Sequence, residues 1–481
     1  MPPGDPSACQ VQNPRLMAFI VFAAIFMAVL DGNVVAIALP TITSTFNVDL
    51  VYSQWVVTAY LVAMTSLLLV FGRVSEATGK GRLFVLGFIV FTVGSLACGL
   101  SGTLPALILF RVIQATGAAM LFSISMAIIY QIYPRGEQGK SMGYIGTTVA
   151  IGSIAGPVVG GFVVDTIGWP YIFLINVPIG VVLVPLAMRY LVSLDTVRRP
   201  LRMDWPGAVT LVSSIVFLML FLSDIAAGQG MTVSGIAYGV IFLASLAYFI
   251  RTERTARYPL LDLSVFRVPA FLLPNIAAFL CFIALFMVNI LGPFYFEGVT
   301  GLPPSQVGMI FLVMSMIMVV GSPLAGWLYD NHYSPYYSAV GMAVTTVSLV
   351  AFAFLAGTMD LFLIVLTFVP MSIGMVLFQS PNNTEIMSSL PAEKIATASS
   401  VSATVRNLGM ALGVSFASIL LTASLSRSGY TGPVLSASPG ALASAFAQIM
   451  VISAIICLVT MVVCLYRARV CGNPSCSPDR N

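Results

Sequence analysis

LMAFIVFAAIFMAVLDGNVVAIALP, residues 16–40, is an apolar run whose only charged side chain is Asp31. About 20 such residues in an α-helix cross the roughly 30 Å of a bilayer's hydrocarbon, so the run reads as a membrane span. A carboxylate at that depth costs about 2.5–3.5 kcal/mol on insertion scales. Asp31 is therefore expected to have a task.

The rest of the chain repeats the pattern. Of 481 residues, 59% are hydrophobic and 8% charged, against about 25% charged in soluble domains. Apolar blocks fall near 16–40, 52–72, 83–101, 104–130, 141–164, 170–191, 205–224, 233–250, 270–296, 305–328, 336–356, 360–381, 397–424 and 442–466. Their length suits helices, and they lack the short alternation of an outer-membrane barrel. The expected fold class is an all-α integral membrane protein with about fourteen spans.

Charge placement sets the topology. With the N-terminus inside, the even-numbered junctions receive Arg73, Lys80 and Arg82, then Arg135 and Lys140, then Arg189, Arg198, Arg199 and Arg202, then Arg251, Arg254, Arg257 and Arg267, then Lys394. The odd junctions receive only Arg427. This one-sidedness follows the positive-inside rule and places both termini in the cytosol of a plasma-membrane protein. The net charge of +4 is thus a topology signal, and no nucleic-acid partner is expected. MPPGDPSACQVQNPR carries no basic n-region and no small-residue cleavage site, so no signal peptide is expected to be removed. Cys98, Cys281, Cys457 and Cys464 lie in spans, and Cys9, Cys471 and Cys476 in tails placed in the cytosol, so reduced thiols are expected.

An internal repeat organises the spans. GRVSEATGKGR after span two is echoed by GWLYDNHYSP (326–335) after span ten, and GSIAGPVVGG (152–161) in span five by GMALGVSFAS (409–418) in span thirteen. Two six-helix halves with substrate between them are a transporter plan. The division expected is a tail over 1–15, a six-helix bundle over 16–191, a linker with two extra helices over 192–269, a second six-helix bundle over 270–466 and a tail over 467–481.

Two basic residues lie deep in spans, Arg111 and Arg406, and Arg111 shares a half with Asp31. A permanently charged guanidinium favours the carboxylate while burial opposes it, which makes a proton switch; a permanent ion pair that only fixes packing is the other reading. On the switch reading, protonating Asp31 frees Arg111. Gln114 lies one turn from Arg111 on the same face. Gly152, Gly156 and Gly160 form one helical stripe for close packing, Pro157 permits a bend, and the stripe serves either plain packing or a sliding interface. The turn with Gly72, Glu76, Gly79, Lys80 and Arg82, with Gly326 and Asp330 in its echo, is a candidate cytosolic latch or a solvated loop. Glu297 ends span nine at the outer face, and Asp224, Glu385 and His332 rank below it.

Several chemistries have no support. RGEQGKS (135–141) has Pro134 where a phosphate loop needs its first glycine, so ATP is not the expected fuel. No metal-ligand cluster and no nucleophile with base and orienting acid is evident, so neither an enzyme nor a cofactor is expected.

These residues resemble the major facilitator superfamily, specifically its drug:proton antiporter branch with fourteen helices, over nearly the whole chain. GSIAGPVVGG fits the antiporter motif G-x-x-x-G-P-x-x-G-G at Gly152, Gly156, Pro157, Gly160 and Gly161, alongside LDGNVVAIALP in the first helix. Arg111 and Gln114 match R-x-x-Q-G, which in the family is associated with proton coupling, with Ala115 for its glycine. GRVSEATGKG is similar to the cytosolic motif G-x-L-a-D-r-x-G-r-k, with Glu76 for the aspartate and Ala77 for the next basic residue, which weakens the latch's basic grip. Trp55, Tyr60, INVPIG around Asn176, FQSPNN (378–383) and Arg406 with Gly409 also resemble the branch; Glu297 stands where glutamine is frequent, and Asn33 where threonine is.

The resemblance implies a proton-coupled antiporter that exports lipophilic or cationic organic compounds by alternating access, multidrug efflux in short. An exporter dedicated to one metabolite, lipid or siderophore is the alternative, and a membrane sensor or scaffold the remote one. Asp31 is expected in a central cavity, with Phe22, Asn33, Phe282, Phe286, Met287, Glu297 and Arg406 as candidate lining. The expected partners are a small organic substrate, protons and the lipid bilayer, and a monomer is expected.

Overall fold

The computed structural model describes residues 13–133, 138–192, 204–227, 232–256, 263–332, 334–358, 360–390, 395–430 and 432–471, without the side chains of Glu76, Ala77, Tyr130, Asp330, Cys471 and several residues of 138–154 and 395–400. No strand occurs among them. Fourteen helices are long and apolar enough to cross a membrane, as the blocks of sequence indicate.

The elements of the first bundle are α1 (Pro14–Thr45), α2 (Leu50–Ser53), α3 (Trp55–Thr78), α4 (Lys80–Gly99), α5 (Leu104–Ile132), α6 (Gln138–Thr166), α7 (Tyr171–Leu174) and α8 (Asn176–Tyr190). The insert is α9 (Trp205–Ala226) and α10 (Val233–Thr255). The second bundle holds α11 (Pro269–Gly298), α12 (Pro304–Asn331), α13 (Tyr337–Leu355), α14 (Leu361–Ser388), α15 (Ile395–Arg427) and α16 (Pro439–Cys471). Because α1 begins and α16 ends on the same side of an even number of spans, that side is the terminal face.

Local chemistry explains the element ends. Thr103, Asp204, Thr232 and Asp360 cap α5, α9, α10 and α14 through side-chain oxygens that accept backbone N–H bonds. Gly79 joins α3 to α4 at φ 98°, a left-handed conformation that disfavours a Cβ. The block at 170–191 runs as one span, Tyr171–Tyr190, in which a single turn residue of helical geometry, Ile175, separates α7 from α8. Pro178 supplies the reason, since it has no N–H to donate to the Leu174 carbonyl one turn earlier. Prolines inside α1, α6, α11, α12 and α14 leave those helices continuous, which membrane helices tolerate when neighbours satisfy the freed carbonyls.

Between helices in lipid, close packing and polar contacts replace hydrophobic exclusion. In the first bundle α1 packs on α6 and α5, α3 on α5, and α4 on α5 and α8. In the second, α11 packs on α15 and α16, α13 on α14 and α16, and α12 on α14. Tyr295 anchors this bundle: its ring meets Phe352 and Phe446 edge-on at 5.7 and 5.1 Å, and its hydroxyl donates to the Ala356 carbonyl at 2.8 Å. Each such aromatic pair contributes about 0.5–1.5 kcal/mol.

The repeat read from sequence reappears in space. The glycines of α6 meet α1, where a Cβ on Gly156 would lie 2.6 Å from Asn33 Cβ and one on Gly160 2.7 Å from Val34 Cγ2. The equivalent glycines of α15 meet α11, where a Cβ on Gly409 would lie 2.8 Å from the Phe279 carbonyl and one on Gly413 2.6 Å from that of Ile283. Across the bundles α6 meets α12 and α3 meets α15, the pairing a twofold relation between halves requires.

This seam is tight on the side away from the termini. A Cβ on Gly161 would lie 2.4 Å from the Pro304 carbonyl, and one on Gly308 2.3 Å from that of Pro157. Ser305 Oγ donates to Asp165 Oδ2 at 2.5 Å across the same joint. The insert adds a brace there, with Trp55 Nε1 donating to Ser223 Oγ at 2.9 Å and α9 lying against α3 and α15.

Candidate functional site

Asp31 sits midway along α1 and is fully buried, with Arg111 at 1% and Gln114 at 0% exposure. Arg111 Nη1 donates to Asp31 Oδ2 at 2.5 Å and to Gln114 Oε1 at 2.6 Å. Gln114 Nε2 donates to Asp31 Oδ1 at 2.8 Å and to Ser95 Oγ at 2.7 Å, and Asn176 Nδ2 reaches Asp31 Oδ1 at 3.3 Å. Three residues on two helices, α5 and α8, thus close on one carboxylate of α1. The spacing of Arg111 and Gln114, three residues apart, puts both on one helical face, as the sequence indicates.

Arg111 has further holds. Its Nε donates to the Val56 carbonyl at 3.0 Å, and its guanidinium carbon lies 4.0 Å from the Tyr60 ring centroid and 5.4 Å from that of Phe173. A guanidinium over a ring face gains about 2 kcal/mol or more when water is excluded. If Asp31 gives up its charge, Arg111 still has a carbonyl, an amide oxygen and two rings. The partner with fewer ties is the carboxylate on α1, not the guanidinium on α5.

The depth of the cluster follows from its neighbours. Ser95 lies one turn from the end of α4, Asn176 is the first residue of α8, and Arg111 is seven residues into α5, about 10 Å by helical rise. These ends all face away from the terminal face. The cluster is therefore nearer the opposite face but sealed from it, and Asp31 is enclosed within the first bundle rather than lining the expected central cavity.

The remaining candidates separate. Phe282 and Phe286 are half-buried on α11, and their Cβ atoms lie 3.2 and 2.9 Å from where a Cβ on Gly409 and Gly413 would stand. Arg406 follows the same stripe toward the terminal face and is exposed. Met287 is fully buried and accepts from Ser453 Oγ on α16 at 3.8 Å, so it belongs to the bundle core and not to a cavity wall. It is one position from Phe286, and a 100° turn of the helix carries it to the other side. Phe22 is half-buried with its ring 6.3 Å from Tyr144, and Asn33 donates back to the Val29 carbonyl at 2.8 Å beside Gly156. Glu297 is half-buried at the far end of α11, with Oε1 buried and unpartnered.

The glycine motif divides its labour. Gly152, Gly156 and Gly160 meet α1 within the first bundle, whereas Gly161 and the carbonyl of Pro157 meet α12 across the seam. In the candidate latch, Gly79 makes the turn, Lys80 opens α4, and Gly326 packs near Ser380. The side chains of Glu76 and Asp330 lie outside the described residues, as does RGEQ (135–138) apart from the start of α6.

A second ionic cluster is built on Glu385, ranked low from sequence, and on Arg467, which the sequence did not single out. Arg467 of α16 pairs with Glu385 of α14 and donates to the Pro335 carbonyl at 3.0 Å, while Tyr329 of α12 donates to Glu385 Oε1 at 3.2 Å. It ties three helices together at the terminal face. Arg467 lies past the apolar core of the last span, where a basic residue reads as a topology signal, so its partner could be found only in three dimensions.

Among the described residues no group of His, Cys, Asp and Glu is placed to hold a metal ion. The model of the Major Facilitator Superfamily matches residues 21–414. The chain is 34% identical over 410 residues to the riboflavin transporter RibZ of Clostridioides difficile, covering 85% of this chain and 89% of that protein. It is 29% identical over 415 residues to the tetracenomycin C resistance and export protein of Streptomyces glaucescens, covering 85% and 76%. The fold matches the crystal structure of a bacterial homolog of the human lysosomal transporter Spinster, in an inward-facing and unoccupied conformation, with TM-score 0.69, 17% identity and 95% and 97% of the two chains covered. With its fourteen apolar helices, two bundles and matching sequence, this multi-pass membrane protein belongs to the major facilitator superfamily, among relatives that include multidrug resistance and export proteins.

Proposed function

We propose that the protein is a proton-coupled antiporter that exports lipophilic organic compounds from the cell by alternating access. The observation that carries this reading is the enclosed Asp31–Arg111–Gln114 network. A carboxylate held by one strong ion pair and two weaker amide bonds inside a span has two states, charged and paired or protonated and released. Its position near the face away from the termini suits a group that takes its proton from outside.

In this reading the terminal face is cytosolic, as the distribution of Lys and Arg indicates, and the bundles 16–191 and 270–466 rock about the seam. The tight contacts at Gly161, Gly308 and Ser305 close the outer side, so the cavity opens to the cytosol to receive cargo. Protonation of Asp31 from outside loosens α1 from α5, while Arg111 stays on Tyr60 and Val56. A proton motive force of about 150 mV supplies roughly 3.5 kcal/mol per proton, enough for a gradient on the order of several hundredfold.

The similarity to a riboflavin transporter favours a second reading, an exporter dedicated to one aromatic metabolite, with the same coupling site. The test is efflux of the neutral dye Nile red from pump-deficient cells expressing wild type or Asp31→Asn at equal levels, with and without a protonophore. Wild-type efflux that the protonophore and Asp31→Asn both stop is the expected result. Efflux that continues at the wild-type rate in Asp31→Asn overturns the coupling role, and absence of any dye efflux turns the reading to the dedicated exporter.

A further inference from the structure

Arg406 is charged, exposed and within a span. It lies five residues into the apolar span of α15 that begins at Val401, about 7 Å from that end. A guanidinium at this depth is stable only where it meets a partner or water. No carboxylate pairs with it among the described residues. The opposed charges elsewhere in the spans are closed on themselves: Asp31 with Arg111, both buried, and Glu385 with Arg467, at 15% and 5% exposure. Glu297 shares the α11 side of the interface but stands at the other end of that helix.

The local packing places Arg406 on the face of α15 that turns toward α11. Gly413 and Gly409 bring α15 against the α11 backbone, and Arg406, seven residues before Gly413, lies on nearly the same stripe with an offset of about 20°. The outer part of α15 is covered by α3, α2 and α9, yet at Arg406 the stripe is exposed. Phe282 and Phe286, half-buried along the same seam, form the apolar wall above it. An aromatic wall ending in an unpaired guanidinium matches a flat, apolar molecule with an acidic end.

We propose that Arg406 is a substrate-binding residue that selects amphipathic compounds bearing an oxyanion, a carboxylate or sulfonate, with Phe282 and Phe286 contacting their apolar part. This rests on the reading of the chain as an exporter and reverses the cation preference that an exposed Asp31 would give. The planar guanidinium offers paired N–H donors that fit an oxyanion bidentately, and it cannot lose its charge. Once cargo displaces water, the lower local dielectric strengthens the contact.

The test is equilibrium binding to the purified full chain in phosphatidylcholine nanodiscs at neutral pH, with 2-naphthoate, 2-naphthamide and 2-naphthylmethylammonium as matched probes. Wild type is expected to hold the naphthoate about tenfold or more tightly than the amide, the factor a charge-assisted hydrogen bond brings, and the ammonium most weakly. Arg406→Gln is expected to bring the naphthoate to the affinity of the amide while leaving amide binding unchanged, which also reports a folded site. Arg406→Lys is expected to keep part of the preference. Equal binding of the three probes, binding of none, or a naphthoate advantage that survives Arg406→Gln overturns the proposal. The readout needs no proton gradient, so loss of coupling in Asp31→Asn and loss of anion selectivity in Arg406→Gln are separate failures.

Discussion

Replacing Asp31 with asparagine removes a charge and keeps the shape of the side chain. The carboxylate is fully buried and Arg111 is 1% exposed, so the guanidinium loses its counter-ion where water does not reach. Removing one partner of a buried pair costs about 3–5 kcal/mol. Arg111 retains Val56, Gln114 and the Tyr60 ring, which places the loss near 3 kcal/mol, the lower end of that range. Asp31 also accepts from Gln114 and Asn176 through one oxygen and from Arg111 through the other. Asparagine has a single carbonyl oxygen, so at least one buried donor goes unmatched, adding about 1 kcal/mol. The sum is a destabilisation of about 4 kcal/mol by these two terms. Asp31→Asn/Arg111→Gln removes both charges and is expected to return to within about 2 kcal/mol of wild type, because a buried pair contributes little net stability. Reversible unfolding in mixed micelles titrated with dodecyl sulfate measures both variants, and proton-driven efflux is expected to stay absent in both. Wild-type stability in Asp31→Asn, or no recovery in the double variant, would refute the account of the pair.

Tyr60→Phe keeps the ring under Arg111 and is expected to transport as wild type, whereas Tyr60→Leu removes about 2 kcal/mol of cation–π stabilisation and is expected to slow proton-coupled efflux at unchanged expression; equal rates in the two variants would show that the ring only fills space. Gly308→Ala puts a Cβ 2.3 Å from the Pro157 carbonyl, so it is expected to prise the seam open on the side away from the termini and, on the proposed orientation, to speed labelling of Ser305→Cys by an impermeant thiol reagent from outside, with Gly152→Ala, whose nearest neighbours are the Val29 side chain at 3.1 Å and the Phe26 carbonyl at 3.2 Å, as the milder comparison. Unchanged labelling would mean that the seam yields elsewhere. Glu385→Gln removes the Glu385 charge from beside Arg467 and is expected to lower the stability of the purified chain by on the order of 3 kcal/mol; a thermal melt that matches wild type would show that the other neighbours of Arg467 suffice.

The fold was legible because each span had to satisfy its own backbone in lipid, and a run such as 16–40 admits hardly any other structure. Asp31, Arg111 and Gln114 were legible for the same reason, since polar groups stand out against hydrocarbon. What escaped was whatever depends on direction around a helix in another part of the chain. Phe286 and Met287 are neighbours in sequence, yet one borders the interface and the other is core. Arg467 looks like any basic residue at a span's end until Glu385, 82 residues away, is brought beside it. Tyr60 and Phe173 are two aromatics among 52, and nothing in their spacing marks them as the faces that hold Arg111. The lost hydrogen bond at Leu174 was not singled out from Pro178, because a proline alone does not say how its helix adapts, and Pro157 and Pro293 lie in helices that run on without an interruption.

The two glycine seams, α6 on α1 and α15 on α11, are the same joint built twice, and among the described residues only the first bundle encloses an acid and a base beside it. A duplicated unit has thus been left with one charged copy and one whose arginine looks outward. On the proposed reading the machine has a motor half and a cargo half, coupled only through the seam they share. Changes of cargo can then accumulate in residues 270–466 without touching the engine in 16–191, which gives such a chain room to acquire new substrates while keeping its source of power.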